Sequence, residues 1–249
     1  MWQIYVFFLK RKYLTDEMKR LTTTYLHGII AESIRKVLNE GIGFGFSLGY
    51  LKQLRSFAEK VRYCDEYLGG RIGNGTSRIV YQLDDEKVLK LAKNDKGIAQ
   101  NEQEGRPDYY RDSIGIFAEV YYNLSDQDDY TFIVSEYVLP AKEKDLERII
   151  GLDECTYERF VNTAEYNRLG RRKNIWNRMD DEDFQYLLEQ DEYGFLYQLN
   201  DYIMSYDMPA GDFSVLRNLG IVSRDGQEQL VILDSGLSNE VYNKYYSKN

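Results

Sequence analysis

Apolar residues in the first quarter of the chain recur at the spacing of amphipathic helices. One such run covers residues 16–39, with Thr15 as a candidate N-cap, and a second run at 48–61 follows Ser47. We interpret the glycine-rich residues 41–45 between the two runs as a turn. We therefore expect two helices that brace the rest of the protein or offer a surface to a partner protein.

The middle of the chain changes to short runs that are typical of β-strands. Strands are predicted on both sides of a glycine turn, and then at 87–92, 116–122 and 130–138. Between them, residues 96–104 predict a short helix that ends before Pro107.

The last part of the chain begins as helices and ends as a hairpin. Residues 141–206 are acidic and helical, with one helix opening at 180–183 and a second apolar stripe at 195–203. Apolar runs at 219–222 and 230–233 then predict a β-hairpin.

Composition narrows the class of function. The chain has 249 residues and a formal net charge of -9, which argues against a nucleic-acid surface. Its single histidine, His27, disfavours histidine-centred catalysis, and Cys64 and Cys155 lack the spacing of a metal or redox site. The apolar start at 2–9 has its basic residues after it and is too short to span a bilayer. We expect a cytoplasmic protein without a membrane anchor.

The glycine turn carries the first candidate chemistry. Gly73 and Gly75 let the backbone approach a ligand closely and point N–H groups at it, as a polyanion requires. Strand parity places Lys90 on the same face as Val88. The same count puts Val80 on the face that would cover a ligand under the turn.

This stretch resembles the protein-kinase-like superfamily, in which the loop G-x-G-x-x-G-x-V precedes a strand lysine. Gly73, Gly75 and Val80 match the loop, Lys90 matches the lysine, and Arg78 stands at the third glycine. At that position Arg78 would stiffen the loop or add a charge to it. The resemblance implies that ATP binds through Ile72, Gly73, Asn74, Gly75, Thr76, Ser77, Val80, Val88 and Lys90.

The resemblance also implies a carboxylate partner for the lysine and a hinge that binds the base. Glu102 and Glu104 both qualify as the partner, and Glu104 is preferred from a likeness to compact kinase-like proteins of bacteriophages. The end of the next strand is similar to the kinase hinge. In that alignment the backbone of Glu136 and Val138 would bind adenine, and Ser135 would guard the back of the pocket.

Near the C-terminal end, the sequence resembles the kinase catalytic loop and metal motif. Asp212 would accept the proton of the attacking hydroxyl, and Asn218 and Asp234 would hold Mg²⁺. Gly211 replaces the arginine of protein kinases, which is more similar to the small-molecule kinases of the superfamily. Asn218 lies one residue further from Asp212 than in the family pattern, and Ser235 replaces the usual phenylalanine.

The resemblance covers residues 68–237 and implies a bilobal α+β fold of the protein-kinase-like type. We expect an N-terminal helical extension at 1–64, a kinase-like lobe with a small antiparallel sheet at 65–138, and a reduced helical lobe at 139–249. Only twelve residues follow Leu237, so we expect no room for an activation segment.

The function implied is ATP-dependent, Mg²⁺-assisted phosphoryl transfer to an unknown protein or small-molecule acceptor. The compartment would be the host cytoplasm if the chain is encoded by a phage. A nucleotide-binding or inactive pseudokinase is the alternative, serving as an interaction module with a possible protein partner at its N-terminal helices. Nucleotidyl transfer on the same fold is a third option.

Overall fold

The computed structural model describes residues 45–170, 175–191, 194–206, 209–224 and 226–246. The expected helix at 16–39, the apolar start at 2–9 and His27 lie outside the described residues. The described part of the chain is α+β, with helices and two small antiparallel sheets. This agrees with the fold class that the sequence predicts.

Four strands form the first sheet, in which the spatial order follows the chain order. They are β1 Arg71–Asn74, β2 Arg78–Gln82, β3 Lys87–Ala92 and β4 Phe132–Glu136, and each neighbouring pair is antiparallel. Leu89 and Leu91 point from β3 into an apolar core on one face. Lys90 lies between them in sequence and therefore points to the opposite face.

Two helices cover the apolar face of this sheet: α1 Leu48–Gln53 and α2 Phe57–Tyr67. Leu51 of α1 and Cys64 of α2 are fully buried in the same core as β3. The sequence left open whether the N-terminal helices brace the protein or bind a partner. The two helices that the structure describes, α1 and α2, brace the first sheet.

The sequence predicts one helix over residues 48–61, but the chain forms two. The first helix ends at Gln53, because its C-cap residue, Leu54, has an extended backbone. Ser56 then opens the second helix with a reciprocal capping box to Glu59. A strong N-cap inside a continuous apolar stripe explains why periodicity alone missed the break.

Helices α3 Asp95–Gly105 and α4 Tyr109–Ile114 lie between β3 and β4 along the chain. The predicted strand at 116–122 does not form. Ala118 donates its N–H to the carbonyl of Ile232 at 3.0 Å, whereas Tyr121 donates to the carbonyl of Val134 at 2.8 Å. Because this segment divides its hydrogen bonds between the two sheets, it makes isolated bridges instead of a ladder.

The second sheet has the order β5-β6-β7 and consists of β5 Leu139–Pro140, β6 Leu219–Arg224 and β7 Gln227–Ile232. Tyr137 and Val138 alone separate β4 from β5, so the chain passes directly from one sheet to the other. The hairpin of β6 and β7 agrees with the sequence prediction.

Helices α5 Glu143–Ile150, α6 Glu154–Arg168, α7 Asp181–Gln190 and α8 Phe195–Ser205 follow β5. They share an apolar core with the second sheet, in which Phe160 and Leu199 are fully buried. Asp180 caps α7, as the acidic run predicts, by accepting a hydrogen bond from the N–H of Asp183 at 2.9 Å.

The chain then runs through two short 3-10 helices, Ala210–Asp212 and Leu216–Asn218, before β6. Helix α9 Asn239–Tyr245 follows the second sheet. None of the helices in the described ranges is long and apolar enough to cross a membrane.

Candidate functional site

Lys90 is the centre of the candidate site. Its side chain is buried although it is charged, and it forms an ion pair with the carboxylate of Glu104 on α3. Its Nζ also donates a hydrogen bond of 2.6 Å to the carbonyl oxygen of Leu233, just beyond β7. A buried ammonium group needs such partners, and here they join the first sheet, α3 and the second sheet.

Helix α3 reaches β3 closely because of its first turn. Asn94 caps the helix by accepting a hydrogen bond from the N–H of Gly97. A Cβ atom at Gly97 would collide with the carbonyl oxygen of Ser77, so a glycine is required at this contact. Asn101 and Glu104 follow on the same face of the helix, and both are buried against the sheet.

The phase of α3 distinguishes the two glutamates that the sequence left open. The Glu104 side chain is only 4% exposed, and Glu104 contacts Lys90. Glu102 is 41% exposed and pairs with Arg106 one turn further along the helix. Glu104 is therefore the glutamate that lies in the candidate site.

Arg78 also lies in this site, at the start of β2. Its NH1 group lies 2.6 Å from Oε2 of Glu104, and its NH2 group lies 2.5 Å from Oδ2 of Asp234. NH1 donates a further hydrogen bond of 3.3 Å to Oδ1 of Asn101. Burial opposes the charged form of this guanidinium, but the two carboxylates outweigh it and raise its pKa.

Asp234 lies two residues beyond β7, where the chain turns at Gly236. Its Oδ1 accepts a hydrogen bond of 3.0 Å from the N–H of Gly236. Burial opposes ionisation of Asp234, but the charges of Arg78 and Lys90 outweigh it and lower the pKa to about 2. The carboxylate is therefore ionised at neutral pH.

Asp212 and Asn218 end the two 3-10 helices that precede β6. The amide Nδ2 of Asn218 donates to the carbonyl oxygen of Asp212 at 2.8 Å, which fixes the loop between them. The backbone carbonyl of Asn218 accepts from the N–H of Leu233 at 2.8 Å, so Asn218 lies beside the strand end that leads to Asp234. Burial, and then the nearby charge of Asp234, raise the pKa of Asp212.

The glycine turn is tied to the residues that follow β3. Lys93 donates from Nζ to the carbonyl of Gly75 at 2.9 Å and to Oδ1 of Asn74 at 3.1 Å. The buried hydroxyl of Ser77 donates to Oε1 of Gln100 on α3 at 2.5 Å. These contacts hold the turn in place, and the Ser77 hydroxyl is already engaged by α3.

The other residues expected around a nucleotide occupy different environments. Gly73 and Asn74 are in β1, Gly75 and Thr76 form the turn, and Ile72 is 49% exposed. Val80 is half-buried and lies directly opposite Lys90 in the ladder. Val80 therefore shares a face with the lysine, as strand parity predicts.

The expected base-binding segment lies at the junction of the two sheets. Ser135 is fully buried opposite Val88, and its hydroxyl finds no hydrogen-bond partner among the residues that the structure describes. The Glu136 carboxylate pairs with Arg224 at 2.7 Å, and Val138 packs against the second sheet. A buried hydroxyl without a partner is uncommon in folded proteins, so Ser135 differs from the other buried polar side chains of this sheet.

The resemblance placed Arg78 at the third glycine of the loop and did not include it among the site residues. A signal was present, because Arg78 is two positions before Val80 and alternate residues of a strand share a face. Arg78 therefore faces the same side as Lys90. The pairing of Arg78 with Asp234 had no comparable signal, because it joins residues from distant parts of the chain.

A cavity of about 440 Å³ lies elsewhere, between the ends of α4, α5 and α8 and the outer part of β7. Over the described ranges, no cluster of three His, Cys, Asp or Glu residues forms a ready metal site.

No family model, curated protein or solved structure matches this chain.

Proposed function

We propose that this protein is an ATP-dependent, Mg²⁺-assisted phosphotransferase with a bilobal, protein-kinase-like fold. The observation that carries the proposal is the convergence of Lys90, Glu104 and Asp234 at one place. They come from a strand, a helix and a strand end that are far apart in the chain, and the ion pair of Lys90 with Glu104 is the arrangement that kinases require.

The architecture supports the same proposal. The first sheet with α1 and α2 has one apolar core, and the helices with the second sheet have another. In this view they are the two lobes, Tyr137 and Val138 are the connection between them, and the nucleotide binds where Lys90 meets Leu233. The first lobe would then include α1 and α2 as well as the first sheet, and Ile116 and Phe117 would pack into the second lobe.

The residues of the site fit a divalent cation. Asp234 is ionised, and the Arg78 guanidinium already occupies a cation position beside its Oδ2. Asn218 has its Nδ2 engaged, which leaves its carbonyl oxygen as an acceptor. When bound here, Mg²⁺ supplies positive charge to the phosphate oxygens.

Each side chain then has a defined task. Glu104 orients Lys90, whose ammonium group holds the phosphates in position. Asp212 accepts the proton of the acceptor hydroxyl, and its raised pKa suits a general base. Val80, Val88 and Val138 offer apolar contacts to the base, with Ser135 behind it.

An inactive nucleotide-binding protein is the second candidate. The contact of Arg78 with Asp234 favours it, because the same carboxylate oxygen is needed for the metal. The contacts that hold the glycine turn and the extra residue between Asp212 and Asn218 also favour this candidate. In that case the protein binds Mg-ATP without turning it over.

Binding and turnover together test the proposal. Mg-ATP should raise the melting temperature of the wild type, since a ligand at 100 times its Kd stabilises a protein by about 2.7 kcal/mol. Release of labelled phosphate from γ-labelled ATP should fall about 10²-fold or more in Asp212→Asn and in Asp234→Asn. Glu228→Gln, an exposed carboxylate remote from the site, is the matched control and should keep full turnover.

The outcomes separate the two candidates. A thermal shift without turnover in the wild type favours the inactive binding protein. Turnover that is unchanged in Asp234→Asn rejects the catalytic assignment, and the absence of any shift with Mg-ATP rejects both candidates.

A further inference from the structure

Four charged side chains form a cluster in the candidate site, in which Arg78, Lys90 and Glu104 are buried and Asp234 is partly exposed. Lys90 and Arg78 contribute two positive charges, and Glu104 and Asp234 contribute two negative charges. Their formal charges cancel without any ligand. A divalent cation added alone to Asp234 would therefore place an excess of positive charge beside the two buried cations Arg78 and Lys90.

We propose that Arg78 is an internal cation that blocks Asp234 until a nucleotide arrives, so that metal and nucleotide bind only together. This inference rests on the proposed function and assigns Arg78 a role in it. In the free protein Arg78 pairs with Asp234 and occupies the position of the metal. In the complex with nucleotide and metal, Arg78 contacts a phosphate group instead.

The geometry of the guanidinium allows this exchange without moving the whole side chain. NH1 is held by Glu104 at 2.6 Å and by Asn101 at 3.3 Å, whereas NH2 reaches Asp234. When a metal takes Asp234, the NH1 contacts keep Arg78 in the site and NH2 becomes free to donate. A phosphate oxygen is a suitable acceptor for that group.

The glycine turn explains why Arg78 stays near. The backbone carbonyl oxygen of Arg78 accepts a hydrogen bond from the N–H of Gly75 at 2.9 Å, and Arg78 begins β2, which pairs with β3. The preceding Ser77 is anchored to α3. Arg78 is therefore fixed at its backbone and at NH1, and NH2 is the part of it that has to change partners.

The test uses Mn²⁺ without nucleotide, followed by electron paramagnetic resonance of free and bound metal. Wild type should bind Mn²⁺ weakly, and Arg78→Gln should bind it about tenfold more tightly, within the usual range of coupling between sites. The double variant Arg78→Gln with Asp234→Asn should lose that gain. Arg148→Gln is the matched control, because Arg148 also bridges two carboxylates but lies on α5, away from the site.

A second variant keeps the test decisive if Arg78→Gln does not fold. Arg78→Lys retains the charge, but a single ammonium group cannot reproduce the fork that holds Glu104 and Asp234 together. It should also bind Mn²⁺ more tightly than the wild type, by a smaller factor. Circular dichroism establishes that each variant is folded before its metal affinity is compared.

The results distinguish this inference from the proposed function. Equal Mn²⁺ affinity in the wild type and in the folded Arg78 variants overturns the inference, even if Mg-ATP binds. A gain in Mn²⁺ affinity supports Arg78 as a block on Asp234. If the wild type does not bind Mg-ATP, the phosphotransferase and the exchange of Arg78 to phosphate are both rejected.

Discussion

The NH2 group of Arg78 lies 2.5 Å from Oδ2 of Asp234, although the two residues come from opposite ends of the described chain. Arg78 begins β2 in the first sheet, and Asp234 follows β7 in the second. The ion pair therefore joins the two sheets at the same place as the hydrogen bond from Lys90 to Leu233. It contributes both to the stability of the protein and to the state of its candidate site.

Loss of the Arg78 guanidinium should destabilise the fold. Arg78→Gln leaves the carboxylates of Glu104 and Asp234 with Lys90 as their only cation in the buried cluster. Removing one partner of a buried pair costs about 3–5 kcal/mol, and the partial exposure of Asp234 places this variant towards the lower end. Urea denaturation measures the change in the free energy of unfolding.

Arg148→Gln again provides the comparison for stability. Its carboxylate partners are Asp145 and Glu228, and its side chain is 47% exposed. Exposed ion pairs contribute about 0–1 kcal/mol, so this substitution should have a much smaller effect. Similar losses in the Arg78 and Arg148 variants would contradict the view that burial makes the Arg78 cluster important.

The contribution of Asp234 to stability should depend on pH in the acid range. Its pKa in the folded protein is about 2, below the ordinary value, so the folded state binds fewer protons than the unfolded state. The resulting stabilisation is present above about pH 4 and is lost as the pH falls towards 2.

Comparison of the wild type with Asp234→Asn isolates this effect from general acid unfolding. The difference in the free energy of unfolding should be constant near neutral pH and should shrink as the pH approaches 2. A difference that stays the same from pH 6 to pH 2.5 would show that the ionised carboxylate is not stabilised by Arg78 and Lys90.

Replacing each of two helical glycines with alanine should change the stability of the protein in opposite directions. Gly97→Ala introduces a Cβ atom that collides with the carbonyl of Ser77, so it should destabilise the protein and displace α3 from β3. In α1, a Cβ atom at Gly49 would meet only ordinary contact distances, and Gly49→Ala should be neutral or stabilise by up to about 1 kcal/mol. Thermal denaturation of both variants measures whether the melting temperature falls or rises relative to the wild type.

The size of the Ser135 side chain should control which nucleotides fit. Because Ser135 is small and fully buried behind the expected base position, ATP analogues with a bulky N6 substituent should bind to the wild type and to Ser135→Gly. Ser135→Met should exclude those analogues by filling the space. Thermal shift with each analogue measures binding, and equal exclusion by the wild type and by Ser135→Gly would rule out this role.

The local elements of this protein were largely predictable from its sequence. Alternation along β3 predicts that Lys90 shares a face with Val88, and Lys90 lies directly opposite Val80 in the ladder. The acidic cap of α7 and the hairpin of β6 and β7 follow from the same kind of local pattern. Such features depend on residues that are close in sequence, so periodicity and turn chemistry are sufficient to find them.

Two features depend on tertiary contacts, so the local sequence pattern alone does not decide them, although the resemblance correctly preferred Glu104. Residues 116–122 have the composition of a strand, but their hydrogen bonds are shared between two sheets. The choice of Glu104 over Glu102 depends on the rotation of α3, which the close contact of Gly97 with Ser77 determines. Neither contact leaves a mark in the local pattern.

A structure determined with Mg²⁺ and a nonhydrolysable ATP analogue would show directly whether Lys90 and Asp234 bind a nucleotide. We predict phosphate oxygens within hydrogen-bonding distance of Nζ of Lys90, the metal on the Asp234 carboxylate, and Arg78 released from that carboxylate. Absence of the analogue from this site at saturating concentration, with Arg78 still paired to Asp234, would show that this site does not bind ATP.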